Sequence, residues 1–256
     1  MHETVLMEVA DGIAVVTLNR PDQRNAINIA VCDAMRAAFD RIEDDPTIRV
    51  AVLTGAGGLF SAGMDLKAFA AGDGDAILFG THGFGGFVKR HRTKPVIAAV
   101  EGAALAGGFE IMFACELVVA GQAAVFGLPE PQLGLFAGAG GALRLPHRIP
   151  RVLANEILLT GGRFDAAKAN EFGLLNRVVQ DGTALSAAKS IAAEIAANAP
   201  LAITATMEIG RADCDDWDAN DRMIAQIGTT EDCREGARAF IEKRKPVWTG
   251  KQVGET

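Results

Sequence analysis

The chain has 256 residues, 49% hydrophobic and 22% charged, with a formal net charge of −7. That is the make-up of a globular protein with one large core. Its acidity, without a basic stripe, speaks against nucleic acid or an anionic membrane as partner. No apolar run approaches the ~18 residues of a membrane span. The opening MHETVLMEVADG lacks a secretory pattern, and Cys32, Cys115, Cys214 and Cys233 show no CxxC spacing. Reduced thiols and a cytoplasmic location are expected. Four scattered histidines without HExxH give no zinc site, so no metal is expected.

In chain order, Val5 to Val9 and Ile13 to Leu18 read as strands around an Asp11–Gly12 turn. Asn28 is placed to cap a helix whose apolar positions are Val31, Met35, Ala38, Phe39 and Ile42, and Asp44–Asp45–Pro46 ends it. Val50 to Thr54 is a buried-type strand. A small-residue turn through Ser61–Ala62–Gly63 follows, and a helix is expected from Met64 to Phe69. Residues 71–87 contain six glycines and read as a mobile surface loop, with Phe84 and Phe87 either contacting substrate or pinning the loop.

Residues 95–110, PVIAAVEGAALAGGFE, repeat the strand–turn–helix plan. Val96 to Val100 form the strand, Gly102 to Ala106 a small-residue loop, and Gly107 onward a helix start. The first N–H groups of a helix have no internal partner and favour negative charge. Glycines at 107 and 108 leave those amides accessible. Two such units in one chain can aim two amides, those of Ala62 and Gly107, at one carbonyl oxygen, as in an oxyanion hole. Glu110 lies one turn from these amides in an apolar stretch. Glu130 is a second isolated carboxylate, between Pro129 and Pro131. A charged side chain in such surroundings needs a function or a partner. Packing alone explains the glycines equally well.

Leu117 to Ala120 and Ala124 to Phe126 read as short strands, and Gly138, Gly140 and Gly141 open a further helix. Asp165 caps Ala166 to Phe172, Gly173 ends that helix, and Ala184 to Asn198 are amphipathic. From Pro200 only helices are expected. Asp213, Asp215, Asp216, Asp218 and Asp221 read as a solvated face without the glycine and bidentate glutamate of a calcium loop. Neither Gly55-x-Gly57 nor Gly138-x-Gly140 completes a dinucleotide fingerprint. Ser61 lacks the glycine of a nucleophile elbow.

Taken together, LNRPDQRNAI (18–27), LTGAGGLFSAGMDLK (53–67), KPVIAAVEGAALAGGFE (94–110), FGLPEPQLGL (126–135), GAGGALRLP (138–146) and AFIEKRKPVWTGK (239–251) resemble the crotonase (enoyl-CoA hydratase/isomerase) superfamily. Within it, SAGMDLKAF, LANEILLTGGR and EKRKPVW are most similar to carnitinyl-CoA dehydratases, also called crotonobetainyl-CoA hydratases. The resemblance implies an α/β fold, a spiral of ββα units over residues 1–197 and a C-terminal helical trimerisation region over 198–256. It implies a homotrimer or a dimer of trimers. It also implies an acyl-CoA thioester as substrate, with coenzyme A part of the substrate and no separate cofactor, and a place in fatty acid β-oxidation.

On the same footing, the amides of Ala62 and Gly107 would hold the thioester oxygen. Glu110 and Glu130 would be the catalytic pair. Arg24 and Ala26 would lie along CoA, Asp65 and Leu66 near its adenine end, with Gly63 and Met64 between. Lys243, Arg244 and Lys251 would be phosphate partners or simply a solvated face. Ala106 and Ala137 depart from the family pattern, where glycine and proline are common. The expected reaction is reversible addition of water to a 2-enoyl-CoA, Glu110 acting as base toward water and Glu130 as proton donor to C2. The alternatives are isomerase or other enolate chemistry on the same scaffold, carnitinyl-CoA dehydration, and acyl-CoA binding without catalysis. The presence of both glutamates favours the hydratase.

Overall fold

A computed structural model describes residues 3–212 and 215–251. Asp213 and Cys214, read above as part of an acidic face and as a reduced thiol, lie outside the described residues. Strands β1 (Val5–Ala10) and β2 (Ile13–Leu18) form an antiparallel hairpin. Its turn residues Asp11 and Gly12 both have positive φ, 53° and 75°, as a tight hairpin requires. Asn28 caps α1 (Ile29–Asp44), its side chain accepting the Val31 N–H at 3.0 Å. The helix buries Val31, Cys32, Met35, Ala38, Phe39 and Ile42, the face its spacing predicts.

The chain continues through β3 (Val50–Gly55), α2 (Leu66–Ala68), α3 (Gly74–Phe79), β4 (Val96–Val100), β5 (Ala103–Leu105) and α4 (Gly107–Phe113). Then come β6 (Leu117–Gly121), β7 (Val125–Gly127), α5 (Gly141–Arg148), α6 (Arg151–Thr160), β8 (Arg163–Asp165), α7 (Ala166–Glu171), β9 (Arg177–Val179) and α8 (Ala184–Ala196). Helices α9 (Pro200–Ile209), α10 (Trp217–Gly228) and α11 (Glu231–Glu242) close the described chain.

Among the described residues the strands form two sheets, one in the order β1-β2-β3-β4-β6-β9 and one in the order β5-β7-β8. In the first, β2, β3, β4, β6 and β9 run parallel. In the second, β5 runs parallel to β7, and a bridge from Ser61 to Ala104 adds a third parallel step. The chain therefore repeats one course. From β3 it crosses to Ser61 and enters α2, from β4 it crosses to β5 and enters α4, and from β6 it crosses to β7 and then a short helical turn at Glu130–Leu133. This is a spiral of ββα units. Each turn stacks on the last, so the points where strands give way to helices lie side by side.

Both faces of the larger sheet are covered, which accounts for the unbroken apolar runs of its strands. Val52, Ile97, Ala99 and Val119 pack against α8 through Ala184, Ala188 and Ala192. The alternate residues Leu53, Ala98, Val100 and Ala120 face the larger core with α1 and α4.

Several stretches differ from the sequence expectation, among them β8 and β9, which the sequence reading did not place. Residues 71–87 do not form a mobile surface loop. They build a wide turn, α3 and a 3₁₀ turn, with Ile77, Phe84 and Phe87 at most 1% exposed. Gly72, Gly83, Gly85 and Gly86 take positive φ there, and these reversals are what tuck the two rings into the core. Residues 103–105 are a strand rather than loop, because their backbone pairs with 125–127. Helix α6 has no counterpart in the sequence reading. Its Val152 and Leu159 are 72% and 77% exposed, which blurs the apolar face that would have revealed it.

Candidate active site

The stacked junctions of the spiral enclose a cavity of about 290 Å³. Ala62, Met64 and Leu66 contribute from the first turn, Ala106 and Gly107 from the second, and Pro129 and Glu130 from the third. Phe69, Leu78, Phe79, Phe84, Leu133 and Phe136 make the rest of the wall largely apolar. Phe79 and Phe136 are 72% and 73% exposed at its rim.

Glu110, on the first turn of α4, is 3% exposed. Its Oε1 accepts the N–H of Gly141, the first residue of α5, at 2.8 Å. A Cβ on Gly141 would lie 2.9 Å from the Ala137 Cβ and 3.1 Å from Glu110 Oε1, so this approach requires glycine. Burial pushes the Glu110 carboxyl up to about 7. The Gly141 amide opposes that rise, and the nearby Glu130 charge adds to it. Glu130 is 8% exposed. Its Oε2 is buried without a hydrogen-bond partner, and burial raises its carboxyl as well. Two interacting buried carboxyls titrate as a pair, and burial raises both members of this one. The anion is better supported at Glu110, where a helix N-terminus meets it. Glu130 keeps an unsatisfied oxygen for something that enters the cavity.

The amide pair needs a correction. The Ala62 N–H donates to the Arg24 carbonyl at 3.0 Å, so it is not available to a thioester oxygen. Its engagement follows from the pairing of the 61–65 segment with residues 24–27. In that pairing the Gly63 carbonyl accepts from Ile27 at 2.8 Å, and the Asp65 N–H donates to Ile27 at 2.9 Å. Met64, between them, has an N–H with no acceptor among the described residues. The Gly107 amide, at the start of α4, likewise has none. A Cβ built on Gly63 would lie 2.9 Å from the Gly107 nitrogen, so the two free amides are neighbours. Met64, which the sequence reading placed only along the CoA, carries the free N–H that the reading assigned to Ala62. The backbone pairing that distinguishes it from Ala62 leaves no mark in residue type.

The other predicted site residues serve different ends. Asp65 caps α2 through the Lys67 and Ala68 amides at 3.1 and 3.3 Å. It also pairs with Arg20 at 3.0 Å, an arrangement that lowers its proton affinity despite partial burial. Arg24 is exposed at a φ of 52°, and Ala26 offers its carbonyl to Arg20. Arg24, Ala26, Gly63 and Asp65 frame the cavity without lining it. Arg244 is held by Glu235 and Glu242. Asn25, which the sequence reading did not single out, is 1% exposed. Its amide donates to Ala56 and Leu59 at 2.9 and 2.6 Å, and its Oδ1 accepts from the Arg20 N–H at 2.9 Å. Its own carbonyl accepts from Ser61 Oγ at 2.9 Å. It ties the 20–27 loop to the first spiral turn.

Comparison with known proteins agrees with this architecture. The chain belongs to the enoyl-CoA hydratase/isomerase family, whose model matches residues 8–251. It is 43% identical over 251 residues to an enoyl-CoA hydratase of Mycobacterium tuberculosis, covering 94% of each chain. It is 39% identical over 262 residues to a carnitinyl-CoA dehydratase of Proteus mirabilis, covering 98% of this chain and 100% of that one. A crystal structure of an enoyl-CoA hydratase from Mycobacterium tuberculosis superposes with a TM-score of 0.93 at 45% identity, covering 98% and 100%. A carnitinyl-CoA hydratase from Mycobacterium avium gives 0.78 at 39%, with the same coverage.

Proposed function

We propose that the protein adds water reversibly to the double bond of a 2-enoyl-CoA. The observation that carries this reading is an apolar cavity lined by the buried Glu130 carboxyl and by Met64 and Gly107, whose amides are unengaged, with the buried Glu110 carboxyl close enough to Glu130 for their charges to interact. In the proposed reaction the Met64 and Gly107 amides receive the thioester oxygen. Charge that develops there as an enolate forms is stabilised by about 3–4 kcal/mol per donor. Glu110, ionised and held by the Gly141 amide, takes a proton from water as the oxygen attacks C3. Glu130, protonated, delivers its proton to C2. In dehydration the roles reverse. The chemistry asks for no group beyond these, since coenzyme A arrives as part of the substrate.

The apolar wall supports an uncharged acyl chain of the kind processed in fatty acid β-oxidation. Lys89 also lines the cavity, and its charge disfavours a trimethylammonium group there. We propose that α9, α10, α11 and the chain that follows them to residue 251 assemble the protein into trimers. The exposure of Phe240, Ile241 and Val247, at 86%, 78% and 71%, supports that. The buried, unpaired Cys32 and Cys115 support a reducing compartment, the cytoplasm.

The test is to follow loss of the conjugated thioester absorbance with crotonyl-CoA, longer 2-enoyl-CoAs and crotonobetainyl-CoA, with product identification. Hydration of the uncharged substrates, with crotonobetainyl-CoA slowest, is expected. Tight acyl-CoA binding with no turnover of any of them would overturn the reading.

A further inference from the structure

Beside the acyl cavity, sharing Val88 and Lys89 with it and lined from α5 by Leu143, Arg144, His147 and Arg148, lies a second cavity of about 640 Å³. The chain as a whole has 32 acidic against 25 basic residues, yet this cavity reverses that balance. Arg90, Arg92, Arg144, Arg148 and Arg211 line it, with Lys89 at the edge it shares with the acyl cavity, and Glu116 is its single acidic lining residue. Glu116 is already divided between Arg92 at 2.9 Å and Arg211 at 3.1 Å. Arg90 is paired outside the cavity with Asp40 at 2.6 Å.

Among the described residues neither Arg144 nor Arg148 forms an ion pair, although the Glu110 charge acts on Arg144. The Arg92 side chain is 5% exposed, and its Nε and Nη1 are buried without hydrogen-bond partners. A guanidinium so buried, sharing one carboxylate with a second arginine, carries a large electrostatic cost. Arg148 stacks over the Phe113 ring at 5.1 Å, so an aromatic face rather than an anion meets it. Arg144 makes its hydrogen bond to a neutral acceptor, the Val88 carbonyl. Arg148 and Arg211 are open to solvent at the cavity mouth, where their forked donors suit oxyanion geometry.

We infer that this cavity is a binding site for a multivalent oxyanion, of phosphate or polycarboxylate chemistry, separate from the acyl-CoA site. Arg92 supplies its buried positive floor, and Arg148 and Arg211 reach the ligand from the mouth. Because Arg144 lines this cavity and its charge also acts on Glu110, an anion held here is electrostatically linked to the catalytic pair.

The experiment is titration calorimetry of the intact protein with inorganic pyrophosphate and with citrate, at constant ionic strength set by chloride. It is repeated with saturating free CoA. Expected is saturable binding of at least one probe at one site per chain, unchanged by CoA. The relative affinity of the two probes tells phosphate from carboxylate chemistry. Affinity should fall about tenfold or more in R148Q/R211Q. That variant removes two solvent-accessible side chains, and circular dichroism with crotonyl-CoA turnover checks its folding. Dilution heats alone would overturn the inference, as would equal affinity in the folded variant, or displacement by CoA. None of these outcomes bears on whether the protein hydrates enoyl-CoA.

Discussion

The first and second turns of the spiral look alike in sequence, yet they present their amides differently. In both, a buried strand gives way to small residues and then a helix. In the second turn the helix starts at once. Gly107 is the first residue of α4 and its N–H is free because it is a helix N-terminus. In the first turn Asp65 already caps the helix amides, and the free N–H belongs to Met64, in extended chain beside Ile27. One donor is thus supplied by helix geometry and the other by alternate pairing along a bridge. A repeated sequence pattern identifies that two donors exist, but strand register decides which residue supplies each.

The strongest way to break this arrangement is at the carboxylates it serves. Glu110→Gln and Glu130→Gln should each lower kcat by about 10²–10⁴, with acyl-CoA affinity retained in a binding titration. Next come the two amides of the first turn. Replacing the peptide N–H at position 64 by an ester oxygen, through an α-hydroxy acid, should cost about 10²–10³ in kcat with little change in Tm. The same exchange at position 62 should lower Tm, because it deletes the bond to Arg24, and leave kcat closer to the parent. A reversed pattern would restore Ala62 as the donor.

The pH dependence sharpens the assignment of the base. Since the Glu110 carboxyl is raised from 4.5 to about 7, kcat/KM should climb as pH rises through 7. Stability runs the other way. A raised carboxyl favours the folded state while it is protonated, and that advantage is lost as pH rises from about 4.5 through about 7. Glu110→Gln should therefore be more stable than the parent by up to about 3 kcal/mol above pH 7 and gain little near pH 4, measured by denaturant titration.

The smallest effect is expected at Ala106, which joins β5 to α4 at a φ of 50° and ψ of −129°. This region favours glycine, and a non-glycine residue there costs about 1–3 kcal/mol. Against the extra chain entropy of glycine, Ala106→Gly should leave a net gain of about 1 kcal/mol in a thermal melt. It should also widen the cavity beside the amide pair.

Much of this was legible in the chain. The Asn28 cap, the buried stripe of α1, the apolar run 96–100 and the isolated glutamates all depend on local pattern, which residue type records. What escaped depends on partners far along the chain. Residues 71–87 looked mobile because glycine counts do not show that Phe84 would find the space beside Gly107, where a Cβ would meet its ring at 2.4 Å. Residues 103–105 became a strand only because 125–127 pair with them. Asn25 is one polar side chain among several in residues 19–25 until its acceptors at 56 and 59 are brought to it.

The most direct test of the central claim is a crotonyl-CoA reaction in ¹⁸O-labelled heavy water, quenched within a single turnover and analysed by mass spectrometry. Two carboxyls acting on one bound water predict a 3-hydroxyacyl product with one ¹⁸O at C3 and one deuterium at C2, formed by the parent and not by Glu110→Gln. A product that keeps its double bond, shifted along the chain and free of ¹⁸O, would contradict the hydratase account.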